Sequence, residues 1–259
     1  MKSRPALYAA EMMRANLNGT KSMTRRLVKF PSPNPLLNDW KQTVRIPGDN
    51  SWIFWDHDLP GNVDLTAKVY NPGAGIFCPY GIPGDQLWPR ETVLLERYGG
   101  LWGMSDSAEV KVTYVADGSV RYFMIHGKEK KEFKPGKKPA IFMPRYASRL
   151  PLEIVDVQPS ILQSISIDDI IAEGCPPLLC DEDASQLYEW YSTLWDSLNA
   201  IPKPIYRGKR VPGTPRIVDH YESYPWEDIR ETRTYRGKPW YVLGNPWVWG
   251  IKYKVLETI

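Results

Sequence analysis

The chain has 259 residues, 42% of them hydrophobic and 24% charged, with a formal net charge of +3 and a pI near 8.6. That apolar content supports a folded core and excludes a disordered chain, and no apolar run is long enough to span a membrane. The weak basicity is compatible with a nucleotide or nucleic-acid ligand without requiring one.

Residues 6–18 read as a helix, with Leu7, Met12, Met13 and Leu17 at roughly helical spacing and Asn18-Gly19 as its stop. The next stretch, Gly19-Thr20-Lys21-Ser22-Met23-Thr24-Arg25-Arg26, gathers three cations and three hydroxyls. A lysine beside a hydroxyl serves as a general base when burial or neighbouring cations depress its pKa. The same cluster can hold a phosphate with no chemistry at all, and both uses stay open at this point. Residues 31–75, rich in Pro, Asn, Gly and Trp, read as a long irregular insertion with one or two short strands near Trp52-Ile53-Phe54-Trp55.

Residues 81–85 form a turn and 86–96 a strand. Segments 110–115 and 120–125 flank Ala116-Asp117-Gly118-Ser119, a hairpin signal. Residues 126–138 are a lysine-rich loop with a solvated face, and 140–143 and 150–158 are further strands. Ser166 is the N-cap of a short helix with Asp168 and Asp169 in its first turn and Gly174 just past its end. The clearest helix is 184–199, where Leu187, Trp190, Tyr191, Leu194, Trp195 and Leu198 share one face. Four prolines make 201–215 a loop or extended arm, and 247–255 is a closing strand. Together these predict one α+β domain on a closed or nearly closed sheet, with no internal repeat.

Three cysteines, Cys78, Cys175 and Cys180, form no Cys-x-x-Cys pair and have no accompanying His cluster. That usage predicts reduced thiols, a cytoplasmic setting, no structural zinc and no metal or other cofactor. The opening residues lack the apolar run of a secretory signal.

The order of motifs resembles a known family. After the first helix come Gly-x-Lys-x-x-Thr-x-Arg at 19–26 and Pro-Gly-Asp-Gln-Leu-Trp-Pro-Arg-Glu at 83–91. Met-Pro-Arg-Tyr-Ala-Ser-Arg at 143–149, Ile-Ser-Ile-Asp-Asp-Ile-Ile-Ala-Glu-Gly at 165–174, the Trp-rich helix and Asn-Pro-Trp-Val-Trp at 245–249 complete the set. This looks like the ASCH domain, a small β-barrel of the PUA-like superfamily, and in detail resembles the large ASCH proteins of bacteriophages and prophages. The resemblance covers both ends and the middle of the chain but not the stretches 31–74 and 201–241, which would be insertions.

It implies a PUA-like barrel whose cleft binds RNA, other single-stranded nucleic acid or a modified nucleoside, in a host cytoplasm if the chain is phage-encoded. One branch of the family comprises N4-acetylcytidine amidohydrolases, whose lysine, threonine and glutamate fall on Lys21, Thr24 and Glu173; another branch looks like ribonucleases. The expected function is therefore binding of nucleic acid or a modified nucleoside, with hydrolysis of an acyl group from a cytosine-like base. The competing readings are a non-catalytic phage protein that sequesters a host factor or nucleotide, and a single-strand nuclease. An open cleft holding the three residues favours the first; a cleft plugged by the insertions favours sequestration.

The remaining candidates are basic. Arg25 and Arg26 would depress the pKa of Lys21 and contact ligand. A carboxylate at a helix C-terminus, as at Glu173, is electrostatically unfavourable and points to a cationic partner such as Lys21. Only one of Arg90 and Glu91 can face a cleft, and Arg90 is preferred as a phosphate or base contact over a structural ion pair. Arg145 and Arg149 flank Tyr146, a set suited to phosphate contact plus stacking. Lys21, Arg25, Arg26, Arg90 and Arg145 are thus expected along one positive cleft. Trp88, Trp247 and Trp249 are read as core; His57, His126 and His220 as non-catalytic; and Gly73-Ala74-Gly75 and Gly99-Gly100 as turns.

Overall fold

The computed structural model describes residues 1–30, 42–45, 51–55, 76–99, 106–180, 183–208 and 214–256. The first sheet joins β1 (Ser3–Leu7), β2 (Met23–Leu27), β6 (Gln86–Arg90), β11 (Leu152–Ile161) and β16 (Trp247–Val255) in the order β1-β6-β11-β16-β2. Only β1 and β6 run parallel; β6 with β11, β11 with β16 and β16 with β2 are antiparallel. Strands β3 (Gln42–Arg45), β4 (Ser51–Trp55) and β5 (Ile76–Phe77) form a small separate sheet. Strands β7 (Val93–Arg97), β8 (Ser107–Tyr114), β9 (Val120–His126) and β10 (Gly136–Lys138) form a second sheet, ordered β10-β7-β8-β9. Strands β12 (Lys203–Tyr206), β13 (Val218–Ser223), β14 (Arg230–Tyr235) and β15 (Lys238–Leu243) form a third, ordered β12-β13-β15-β14.

Helices α1 (Ala10–Leu17), α2 (Gly127–Glu132), α3 (Ile167–Ala172), α4 (Pro177–Cys180) and α5 (Ala184–Asn199) complete the chain. The α+β class holds. None of the described sheets closes into a barrel, because β1 and β2 remain as edges of the five-stranded sheet. Those edges meet through a side chain: Arg26 Nη2 donates to the Leu7 carbonyl at 2.6 Å.

β16, between β11 and the edge strand β2, contributes to two cores. Trp247, Trp249, Ile251 and Tyr253 lie on one face and join Leu87, Leu152, Ile154 and Met13 in the first core, as expected of residues two apart on a strand. Val248 points the other way, into a core made by Leu162, Ile170 of α3 and Leu187, Tyr191 and Trp195 of α5. Of the expected face of α5, Leu187, Tyr191 and Trp195 pack in this core and Trp190 against it, while Leu198 is 50% exposed; the limits of the helix coincide with the predicted 184–199. The predicted hairpin is β8–β9, with Gly118 at φ +73 in its turn. Ser166 caps α3 by accepting a hydrogen bond from Asp169 N at 3.2 Å.

Five local expectations need correction. The helix read over 6–18 is β1 followed by the shorter α1; Ala9 caps α1 with no side-chain hydrogen bond, so no capping residue marks its start. The strand read over 86–96 is two strands in different sheets. Burial alternates without a break through Leu87, Pro89, Glu91, Val93 and Leu95, so the period of two cannot reveal that the hydrogen-bonding partner changes at Glu91. Residues 126–138 contain α2 and β10, not only loop. Residues 140–143 are a 3-10 turn, not a strand. The arm read over 201–215 contains β12, the edge of the third sheet. The 31–75 stretch does contain short strands, β3 and β4, but most of it, with His57 and Gly73-Ala74-Gly75, lies outside the described residues. No helix among the described residues is long and apolar enough to cross a membrane.

A candidate nucleotide cleft at the seam of the sheet

The Gly19–Arg26 motif is placed by a helix stop. Asn18 caps α1, Gly19 takes φ +75, and Thr20 N and Lys21 N both donate to Ala15 O. This αL turn needs a residue without a Cβ penalty, and it delivers Lys21 against the end of α3. There Lys21 forms an isolated antiparallel bridge with Glu173. The fit is tight: a Cβ on Gly174, at φ +92, would come within 2.9 Å of Ala15 Cβ and 3.1 Å of Lys21 Cβ.

Lys21, 2% exposed, donates from Nζ to both the Glu173 carbonyl and Glu173 Oε2, each at 2.6 Å. Glu173 thus has the cationic partner its position at a helix end called for. Arg25 completes the cluster, with Nη2 2.7 Å from Asp169 Oδ2 and Nη1 3.8 Å from Glu173 Oε1. Burial pushes the Lys21 ammonium below its ordinary pKa; Glu173 opposes this, while the guanidinia of Arg26 and Arg25 reinforce it.

β2 is an edge strand, and the cleft of about 680 Å³ runs along its free side. Val28 N donates to Trp247 O and Tyr253 N to Ser22 O. By antiparallel alternation, the even-numbered residues of β2 spend their backbone groups on β16, and Arg25 and Leu27 direct theirs outward along the open edge. One wall is the end of β1 and the start of α1, with Leu7, Tyr8 and Met12; the other is α5 with Tyr191, Leu194 and Trp195. The third sheet contributes Lys203, Ile205, Glu222 and Tyr224. Five cations line the cleft (Lys21, Arg25, Arg26, Lys29 and Lys203) against two carboxylates, Glu173 and Glu222.

Thr24, 5% exposed, lines the same cleft, and among the described residues its side-chain hydroxyl makes no hydrogen bond, to Lys21 or to any other group. Arg26 lies 5.3 Å from the ring centroid of Tyr8 and 5.9 Å from that of Tyr80. Several buried polar atoms here lack hydrogen-bond partners: Tyr8 Oη, Arg25 Nε, Arg26 Nε and Glu173 Oε1. Buried polar atoms are ordinarily satisfied, and four of the unsatisfied ones gather at this cleft.

The structure separates the other candidates from the cleft. Arg90 lies 5.1 Å over the half-buried Trp88 ring and donates from Nη2 to the carbonyls of Ile141 and Met143, pinning the 3-10 turn. Arg149 is 5% exposed and grips Glu91 with Nε–Oε1 at 2.8 Å and Nη2–Oε2 at 3.0 Å. Its Nη1 donates to Asp117 Oδ2 at 2.7 Å and Ser119 Oγ at 2.6 Å, and its guanidinium lies 4.0 Å from the Tyr114 ring centroid. It is a cross-link between the β8–β9 turn and the β6–β7 corner. Tyr146 packs against Phe123 at 5.9 Å in the core of the second sheet, and Arg145 is exposed beside it. The single cleft expected of five basic residues therefore contains Lys21, Arg25 and Arg26 but not Arg90 or Arg145.

Sequence reasoning missed Tyr8, Lys29, Lys203, Glu222 and Tyr224. Lys29 directly extends the Arg25-Arg26 run and could have been included; the last three sit in the 201–241 stretch that the resemblance leaves uncovered. His220 is held between Asp219 (Nδ1 to Oδ2, 3.1 Å) and Glu222 (Nε2 to Oε1, 3.0 Å) and does not itself line the cleft. Among the described residues no cluster of His, Cys, Asp and Glu could hold a metal ion. Compared with known proteins, the chain matches no family model, no curated protein and no solved structure.

Proposed function

We propose that this chain is an ASCH-type, PUA-like protein that binds a modified cytosine nucleoside or nucleic acid in the β2 cleft and hydrolyses an acyl group from the exocyclic nitrogen. The observation that carries this reading is the buried Lys21–Glu173 pair opening, with Thr24, into one cationic cleft. The residues of the 201–241 stretch that reach the cleft line it and leave about 680 Å³ open.

The proposed chemistry uses the deprotonated form of Lys21, towards which burial and the guanidinia of Arg26 and Arg25 bias it against the pull of Glu173. In that form its two N–H donors serve the Glu173 carbonyl and Oε2, and its lone pair is the unused position. Thr24 Oγ attacks the amide carbon and Lys21 takes the hydroxyl proton. The tetrahedral adduct collapses, the C–N bond breaks, and Lys21 returns that proton to the leaving exocyclic nitrogen. Water then cleaves the acyl-threonine, Lys21 taking its proton and passing it back to Thr24 Oγ as the carboxylic acid leaves. Glu173 holds the amine in place, and the outward N–H groups of Arg25 and Leu27 on the open edge of β2 are the proposed donors for the oxyanion. Lys21 and Thr24 must draw together when substrate binds, as catalytic contacts in unliganded sites often do.

The test is incubation of the protein with N4-acetylcytidine and chromatographic detection of cytidine. Release of cytidine that saturates with substrate is expected; no release from the nucleoside, its nucleotide or an acetylated oligonucleotide would refute the hydrolase reading.

A further inference from the structure

The third sheet lies in the stretch the resemblance leaves uncovered, yet it builds part of the cleft. β12 begins directly after α5, and its first residue, Lys203, faces the cleft at the helix's C-terminal end. Lys203 Nζ donates to Asn199 Oδ1 at 3.1 Å, which fixes the ammonium there and leaves two of its three donors for another acceptor. The C-terminal end of a helix also favours a cation. Across the cleft, Lys29 follows the end of β2. Partial burial of Lys203 and then the positive charge of Lys29 lower the pKa of Lys203. Among the described residues neither lysine is paired with a carboxylate. Two cations from separate elements that repel one another across a groove are relieved by an anion between them.

Position along the cleft matches this. Lys29 is five residues beyond Thr24, roughly 16 Å of extended backbone at about 3.3 Å per residue. Between the two ends lie Tyr8 and Arg26, with the unpartnered Arg26 Nε.

We propose that Lys29 and Lys203 form a phosphate subsite, so that the preferred ligand of this cleft is a phosphorylated one, a nucleotide or the backbone of a single strand, bound more tightly than the free nucleoside. The inference rests on the nucleoside-cleft reading above and adds the substrate class.

Calorimetric titration at low salt with cytidine, cytidine 5′-monophosphate, a cytidine-containing tetranucleotide and inorganic pyrophosphate tests it, using wild type, Lys29→Ala/Lys203→Ala and Lys29→Arg/Lys203→Arg. Both lysines are exposed, so the variants should fold, as a thermal melt can verify. The monophosphate should bind at least about tenfold more tightly than cytidine, the scale of charge-assisted contacts. The alanine pair should lose that advantage while cytidine binding stays unchanged, and the arginine pair should keep it. A tetranucleotide tighter than the monophosphate identifies the source as a nucleic-acid backbone; equal affinity identifies a mononucleotide. Equal binding of cytidine and its monophosphate to wild type would overturn the subsite and leave the cleft reading standing. Pyrophosphate binding that the alanine pair abolishes, with no binding of cytidine or its monophosphate, would support the subsite and overturn the nucleoside reading. No binding of any probe would overturn both.

Discussion

At the residue scale, Lys21 decides the account. Its pKa is lowered first by burial and then by Arg26 and Arg25. Above the folded pKa and below the unfolded one, the unfolded chain binds the extra proton, so this lysine's contribution to stability rises with pH through that window. The same sign governs catalysis: the rate should rise with pH as the amine loses its proton. Replacing Arg26 with Gln removes a like charge, so the rising limb of kcat/KM should move to higher pH; an unmoved limb would mean that Lys21 is not the titrating base. The sequence made this cluster legible, since a lysine, a threonine and two arginines lie within six residues and Glu173 sits where a carboxylate needs a cation. It could not reveal that Thr24 and Lys21 remain unbonded, because edge-strand geometry and the α3 contact set that.

Arg149 belongs to the scale of elements. Its type and neighbours suggested ligand contact, but a buried cation is equally satisfied by a carboxylate distant in sequence, and Glu91 lies 58 residues away. Arg149→Met should destabilise the fold by about 3–5 kcal/mol in denaturant melts, because it leaves the Glu91 carboxylate buried and unpaired; a loss below about 1 kcal/mol would contradict the cross-link. Desolvation works against ionised Asp117, yet hydrogen bonds from Arg149 and Ser119 hold its pKa down from 3.8 to about 2. That contribution is complete above the unfolded value and lost as pH falls from about 4 toward 2. Asp117→Asn should therefore flatten the acid limb of the stability profile, and an unchanged limb would argue against the interaction. Elements with strong periodicity, α5 and β16, were readable because buried residues recur along one side of each: Leu187, Tyr191 and Trp195 on the helix, and Trp247, Trp249, Ile251 and Tyr253 on the strand. The β6–β7 break was not, since burial alternates straight through it.

For the whole molecule, the seam between β1 and β2 is the organising feature. Arg26 bridges it to Leu7, and the adjoining space forms the cleft. The α+β class followed from counting strands and helices, whereas the open seam and the third sheet depend on long-range pairing that local patterns do not encode. An excess of cations along the cleft predicts that binding of a single-stranded oligonucleotide weakens as salt rises, with log affinity falling linearly in log salt. Binding independent of salt would place the ligand elsewhere.

The most direct measurement is the initial rate at which wild type, Lys21→Ala, Lys21→Arg and Thr24→Ala deacetylate N4-acetylcytidine to cytidine and its 5′-monophosphate to cytidine 5′-monophosphate, each protein verified as folded by its thermal melt. Thr24→Ala tests the nucleophile without disturbing the buried ion pair, and Lys21→Arg keeps a cation for Glu173 while removing a usable base. The account predicts rates about 10²–10⁴-fold below wild type in all three variants, the range expected when a positioned acid–base group is lost. Release by Thr24→Ala or Lys21→Arg at the wild-type rate would contradict it.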